Sequence, residues 1–291
     1  MSLNLFLRTP AKVNPVLEVL GRRPDGFHEL ALVFQAVALY DELRMEEGGS
    51  GLRLEVEGST LPADDSNLVL RAARLFAKEA LGKEPGVRIG LTKRIPMAAG
   101  LGGGSSDAAA TLLGLDRLFK TGWGPAKLQP LAAQLGSDVA FFLKGGTALG
   151  TGRGEIIEPW DSPASWSLVL VKPAEGLSTP SVYGSGKALF TGGEKARAFR
   201  QVAADGRADR IGRALFNGLE PAALFLLPLI GKVREALEKA GSLGVLVSGS
   251  GPTVFGVAEN ADHAERIRGS LEGRGWEVWA VQAVPDGVQF I

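Results

Sequence analysis

A chain of 291 residues is long for one core and comfortable for two domains, and 45% hydrophobic residues give it the apolar content for a sizeable interior. Its 32 basic and 32 acidic residues cancel, which argues against a bulk electrostatic footprint for nucleic acid or an anionic membrane and leaves room for a local cationic pocket. With no cysteine, it has no disulfide, no thiolate metal site and no cysteine nucleophile.

No signal peptide is apparent in residues 1–10. The longest apolar stretch, 222–230, contains Pro228 and is too short to span a bilayer. A soluble, cytoplasmic protein is expected. Residues 3–7 and 16–20 read as strands, followed by the turn Arg22-Arg23-Pro24-Asp25-Gly26. Residues 30–40 fit a buried strand, and the alternation over 52–57 a half-buried one. Ser66 is placed to cap a helix running to Leu81, with Gly82 just past its end. Val87, Ile89 and Leu91 alternate again, and this strand leads into residues 96–107. Residues 108–119 then read as a helix. A short helix follows at 128–135, its start obscured by Pro130. An apolar strand is expected at 139–143, with Lys144-Gly145-Gly146 as a hairpin turn into 147–150.

The Gly- and Pro-rich segment 150–163 reads as a link between domains 1–155 and 156–291. Beyond it, 167–172 reads as a strand, 184–193 as a polar loop, and 207–216 and 229–240 as helices. Residues 245–247 and 253–258 read as a hairpin about Ser248-Gly249-Ser250-Gly251-Pro252, 261–271 as a helix and 276–283 as a final strand. The alternation lacks regular βαβ spacing, so an α+β fold is expected.

Residues 96–107 read Pro-Met-Ala-Ala-Gly-Leu-Gly-Gly-Gly-Ser-Ser-Asp. Four glycines in five positions let backbone N–H groups approach a ligand, and the positive end of the following helix favours an anion, so the segment is a recipe for holding phosphate. It is not a Walker A loop, because Gly104 is followed by Ser105 instead of lysine. Nor is it a dinucleotide fingerprint, since the sixth position from Gly100 is Ser105.

What remains resembles the phosphate loop of the GHMP kinases. Three further blocks resemble one branch of that superfamily, the branch whose acceptor is a cytidine diphosphate-linked polyol. They are Pro10-Ala11-Lys12-Val13-Asn14 with Asp25-Gly26-Phe27-His28-Glu29-Leu30, then Leu135-Gly136-Ser137-Asp138-Val139, then Ser248-Gly249-Ser250-Gly251-Pro252. The resemblance implies a two-domain fold with an N-terminal ribosomal-protein-S5-like domain and a C-terminal ferredoxin-like domain. It implies an ATP- and Mg2+-dependent kinase that phosphorylates the 2-hydroxyl of the polyol by direct transfer, in non-mevalonate isoprenoid precursor synthesis. ATP would lie along Pro96, Met97, Ala98, Ala99, Gly100, Leu101, Gly102, Gly103, Gly104, Ser105 and Ser106.

By the same resemblance Asp138 is the base and Lys12 the cation at the transferred group. Asn14, Phe27 and His28 contact the acceptor, His28 through the cytosine edge. Phe27 stands where tyrosine is commoner, and Pro15 departs from the expected leucine. Tyr183 is either a stacking partner for the base or an ordinary packing residue. Ser105 and Ser106 serve phosphate, Mg2+ or helix capping. Asp107 suits the helix dipole and is left out of catalysis. Arg22 and Arg23 either attract the diphosphate or are simply solvated. No protein ligand is assigned to Mg2+, no nucleic-acid or membrane partner is expected, and the oligomeric state stays open.

Overall fold

The computed structural model describes residues 4–163 and 165–291. Two long strands, β1 (Asn4–Arg22) and β2 (His28–Glu47), form an antiparallel hairpin. The strands expected at 3–7 and 16–20 are thus one. Register shifts at Pro10/Ala11 and Val13/Val16 let β1 pass two prolines that cannot donate to the ladder. Beside β2 lie β3 (Leu52–Glu57) and β4 (Val87–Thr92), parallel to each other, with β4 on the C-terminal half of β2. The other half of β2 takes β5 (Thr147–Gly152), which turns back into β6 (Ile156–Trp160). The segment expected as a link is therefore sheet as far as Trp160, and the division at 155/156 falls inside a hairpin.

A second, antiparallel sheet runs in the order β11-β7-β10-β9, built from β7 (Ser167–Lys172), β9 (Gly244–Val247), β10 (Val254–Ala258) and β11 (Glu277–Gln282). Two short strands of the second half, β8 (Phe216–Asn217) and β12 (Gln289–Phe290), go back to β1. Every residue of β7 is buried, because both its faces are covered. Leu168 and Leu170 pack with Val13 and Val33 of the first sheet. Val169 and Val171 pack with Val233, Leu237 and Ile267 on helices behind.

The helices are α1 (Leu68–Phe76), α2 (Gly103–Leu118), α3 (Gly124–Leu135), α4 (Val139–Phe142), α5 (Thr179–Gly184), α6 (Glu194–Asp205), α7 (Ala208–Ala214), α8 (Glu220–Leu226), α9 (Leu229–Lys239) and α10 (Ala261–Ser270). α1 to α4 pack on the first sheet with Leu32, Phe34 and Met45. Asn67, not Ser66, caps α1: its side chain accepts from Val69 N–H at 3.0 Å, while Ser66 bonds Asp64. The helix ends in a π-helical turn (Ala77–Leu81).

Three other expectations need correction. α3 starts at Gly124 and carries Pro130 inside it. The strand expected at 139–143 is the helix α4, so Lys144-Gly145-Gly146 joins a helix to β5 instead of closing a hairpin. The helix expected over 207–216 stops at Ala214, and Phe216 and Asn217 pair with β1. α5, α6 and α8 had no expectation. Buried Glu18 starts α6 by accepting from the N–H groups of Gly193 and Ala196, a cap supplied from across the fold.

Candidate active site

Between β4 and α2 the glycine loop is tied on two sides. Lys12 of β1 donates its backbone N–H to the Leu101 carbonyl at 2.9 Å and its ammonium to the Gly100 carbonyl at 2.9 Å. From the turn after β9, the Ser248 hydroxyl donates to the same Gly100 carbonyl at 3.0 Å. Gly100 and Gly102 have φ of +75° and +73°, which L side chains resist. A Cβ on Gly100 would run into the Ser248 carbonyl. One on Gly102 would lie 2.9 Å from Phe142 Cζ, and one on Gly103 2.9 Å from Ile95 Cγ2. These three glycines are needed for packing as well as for a bare backbone. Gly104 is the exposed one, with nothing nearer to an added Cβ than Leu68 Cδ1 at 3.4 Å.

The positive φ of Gly102 lets α2 begin at Gly103, five residues before the expected start at 108. Neither serine caps the helix. Ser105 lines the cavity described below, whereas Ser106 is fully buried and donates to the Pro10 carbonyl at 2.6 Å, pinning α2 to β1.

That cavity, of about 1140 Å³, is lined by Pro96 to Gly100, Gly102 to Ser105, Lys12, Asn14, Phe27, His28, Asp138 and Tyr183. Of the residues expected at the site, Leu101 and Ser106 alone lie outside the lining. The volume exceeds that of a usual single-ligand pocket and suits two substrates. Lys12 and Asn14, two apart on β1, project to the same side. The Lys12 ammonium donates to Asn14 Oδ1 at 2.7 Å and lies 3.5 Å from Asp138 Oδ2. Asn14 donates in turn to the Val33 carbonyl at 3.1 Å, which turns its Oδ1 towards Lys12 and leaves one amide N–H over. Asp138 precedes the first turn of α4 without capping it, which leaves its carboxylate turned to the cavity.

At the other end the rings gather. His28 and Tyr183 have centroids 5.0 Å apart, and Phe190 lies 6.4 Å from His28. Burial, and then the charge of Arg22, hold the His28 pKa below its ordinary value, so the imidazole is neutral at pH 7 and offers one donor and one acceptor. Burial, and then the charge of Asp138, push the Tyr183 phenol up, so it stays protonated. Asp138 thus adjoins both the loop end and the aromatic end. Phe27 is half exposed, with the Arg153 guanidinium over its ring at 4.8 Å.

Behind the loop, the buried Lys93 ammonium contacts Asp41 and lies 2.8 Å from Asp107 Oδ2. Asp41 also accepts from the N–H groups of Arg94 and Ile95 at the loop's entry. Sequence reading missed Lys93, whose partners lie far away in the chain. Desolvation raises the Asp107 pKa against the pull of Lys93, and among the described residues its Oδ1 has no hydrogen-bond partner. Among the described residues no three His, Asp or Glu side chains come together to hold a metal ion, and no helix is long and apolar enough to cross a membrane.

A helix-start phosphate loop facing a Lys–Asp pair across a two-substrate cavity is the layout of a small-molecule kinase. Models of the GHMP kinase family match the chain twice, the N terminal domain over residues 67–146 and the C terminal over 196–276. A 4-diphosphocytidyl-2-C-methyl-D-erythritol kinase from Pelotomaculum thermopropionicum is 46% identical, covering 88% of this chain and 90% of its own. A crystal structure of a 4-(cytidine 5'-diphospho)-2C-methyl-D-erythritol kinase superposes with TM-score 0.82 at 38% identity, over 96% of this chain and 99% of that one. A homoserine kinase from Cytophaga hutchinsonii shares the fold, with TM-score 0.78 at 22% identity over 99% and 97% of the two chains. The chain belongs to the GHMP kinases and, within them, to the 4-diphosphocytidyl-2-C-methyl-D-erythritol kinase family. It is a small-molecule kinase that takes ATP as co-substrate, and the expected two-domain α+β fold is the one it has.

Proposed function

We propose that the chain transfers the γ-phosphoryl group of ATP to the 2-hydroxyl of 4-diphosphocytidyl-2-C-methyl-D-erythritol, a step of non-mevalonate isoprenoid precursor synthesis. The observation that carries this reading is the place of the Lys12–Asp138 pair, with the glycine loop on one side and the His28–Tyr183 rings on the other. ATP lies along residues 96–105, its phosphates at the start of α2, where unpaired N–H groups and the helix dipole favour negative charge. The cytosine meets the neutral imidazole of His28 and the rings of Phe27 and Tyr183.

Asp138 accepts the proton of the 2-hydroxyl as that oxygen attacks the γ-phosphorus. The bond to the β,γ-bridging oxygen breaks, and ADP leaves with the bonding electrons. Lys12, held by Asn14 and Gly100, places its charge where negative charge spreads over the transferred group. Alignment and charge stabilisation supply the catalysis, with no phosphorylated enzyme intermediate. For Mg2+, the site offers the Ser105 hydroxyl and no cluster of acids. Ser105 would thus help to hold the ion, whose charge would offset that of the phosphates.

The test is ADP release measured with the cytidylated methylerythritol, mevalonate and homoserine in parallel. Turnover confined to the first is expected. Comparable kcat/KM with either of the others, or ATP binding without transfer to any, would overturn the reading.

A further inference from the structure

Four cationic side chains line the cavity: Lys12, Arg22, Lys93 and Arg153. Two of them are already committed. Lys93 lies between the buried Asp41 and Asp107 side chains, and Lys12 is held by Asn14 and Gly100 beside Asp138. Arg22 has no hydrogen-bond or ion-pair partner among the described residues. Its neighbour Arg23, by contrast, is taken by Asp25 at 3.1 Å and Glu29 at 2.7 Å. Arg153 has one acid in contact, Glu155, whose Oε1 is 3.6 Å from its Nε, beyond hydrogen-bond length. The other Glu155 oxygen accepts from the Arg153 backbone N–H at 2.6 Å, so that carboxylate chiefly serves the turn.

Position makes the two arginines more than solvated charges. Arg22 pairs with His28 across the β1–β2 ladder, and its charge reaches the imidazole. Arg153 lies over Phe27, on the β5–β6 turn. In that turn Gly154 packs against Ser137, the neighbour of Asp138: an added Cβ there would be 3.8 Å from Ser137 Cβ. Both guanidinium groups thus stand at the base-reading end, Arg22 beside His28 and Arg153 over Phe27, the latter on a turn whose backbone borders Ser137. In the proposed acceptor, the group joining nucleobase to polyol is a diphosphate. It must leave the base-reading end, where both arginines stand, on its way to Asp138, and it has to be drawn in past the negative charge of that carboxylate.

We propose that Arg22 and Arg153 form an anion subsite that grips the diphosphate of the acceptor. The inference rests on the proposed acceptor and adds to it a cause for choosing a nucleoside diphosphate derivative over a neutral alcohol. Two guanidinium forks with free donors match phosphate oxygens in charge and geometry. The same arginines give the binding a dependence on ionic strength, because both are open to water.

Inhibition by CDP and by cytidine, each competing with the acceptor at saturating ATP, tests the subsite. The wild type is expected to prefer CDP by roughly 10- to 100-fold, the worth of one or two charge-assisted hydrogen bonds. R22A/R153A is expected to bind CDP no better than cytidine, with its cytidine affinity and its KM for ATP retained, which also shows that it is folded. R22K/R153K keeps the charge without the fork and should recover part of the preference. If R22A/R153A kept the full preference for CDP, the subsite would be wrong while the acceptor stood. A wild type that binds neither ligand would remove the acceptor reading and the subsite with it.

Discussion

Lys12 Nζ and Asp138 Oδ2 face each other at 3.5 Å, brought together from β1 and from the residue before α4. The separation is too long for a hydrogen bond, so the carboxylate keeps lone pairs free for a substrate hydroxyl. Asp138→Asn preserves the shape and removes the proton acceptor. It is expected to lower kcat by about 10²–10⁴-fold, the usual worth of a general base, with ATP affinity kept. Near-normal turnover in that variant would take Asp138 out of its role.

His28→Ala is expected to raise KM for the cytidylated acceptor and to leave KM for ATP alone, since the imidazole belongs to the aromatic end of the cavity. Tyr183→Phe should matter less than Tyr183→Ala, because stacking needs the ring and not the hydroxyl. Steady-state kinetics with each substrate varied in turn decide this. An unchanged acceptor KM in His28→Ala would refute the assignment.

Gly100 and Gly104 make opposite predictions. Gly100→Ala puts a side chain at positive φ, costing about 1–2 kcal/mol, and drives it at the Ser248 carbonyl. A lower melting temperature and a raised KM for ATP should appear together. Gly104→Ala meets only the flexible Leu68 Cδ1 at 3.4 Å, so the fold should be unharmed and KM for ATP alone should rise. The reverse pattern in thermal melts would show that the loop is held differently.

Asp107 carries a pH signature. Burial, against the opposing charge of Lys93, pushes its pKa up to about 8 from an ordinary 3.8. The native state therefore holds this proton more tightly than the unfolded chain does. Its contribution to stability is fully present below the unfolded value and declines as pH rises towards the native one. Urea unfolding between pH 5 and pH 8 should show the wild type losing more stability than Asp107→Asn across that window. Parallel profiles would rule the proton out. Lys93→Met removes the counter-ion of the buried Asp41 carboxylate and should cost about 3–5 kcal/mol.

The letters around Lys12, His28, Gly100 and Asp138 made much of the cavity legible, because each block is a local pattern. What they hid is non-local. Lys93 finds its counter-ions at Asp41 and Asp107, and Ser106 is drawn into the interior by Pro10. Val-Ala-Phe-Phe-Leu at 139–143 is an apolar run too short for its period to tell helix from strand. Gly and Pro between 150 and 163 suggested a link, yet the turn of the β5–β6 hairpin uses Gly152 and Gly154 at positive φ. The helix α6 was invisible because its cap comes from Glu18.

The return of β12 to β1 bears on how the molecule is made. Residues 283–291 are made long after β1, yet Val284, Gly287 and Ile291 donate backbone N–H groups to Ala36, Lys144 and Phe6, and Phe290 pairs with Leu7. While the ribosome is still at work, the first sheet emerges with the outer side of β1 unpaired, a row of open amides that another nascent chain could join. That side of the sheet is closed only once Gln289 and Phe290 have joined it.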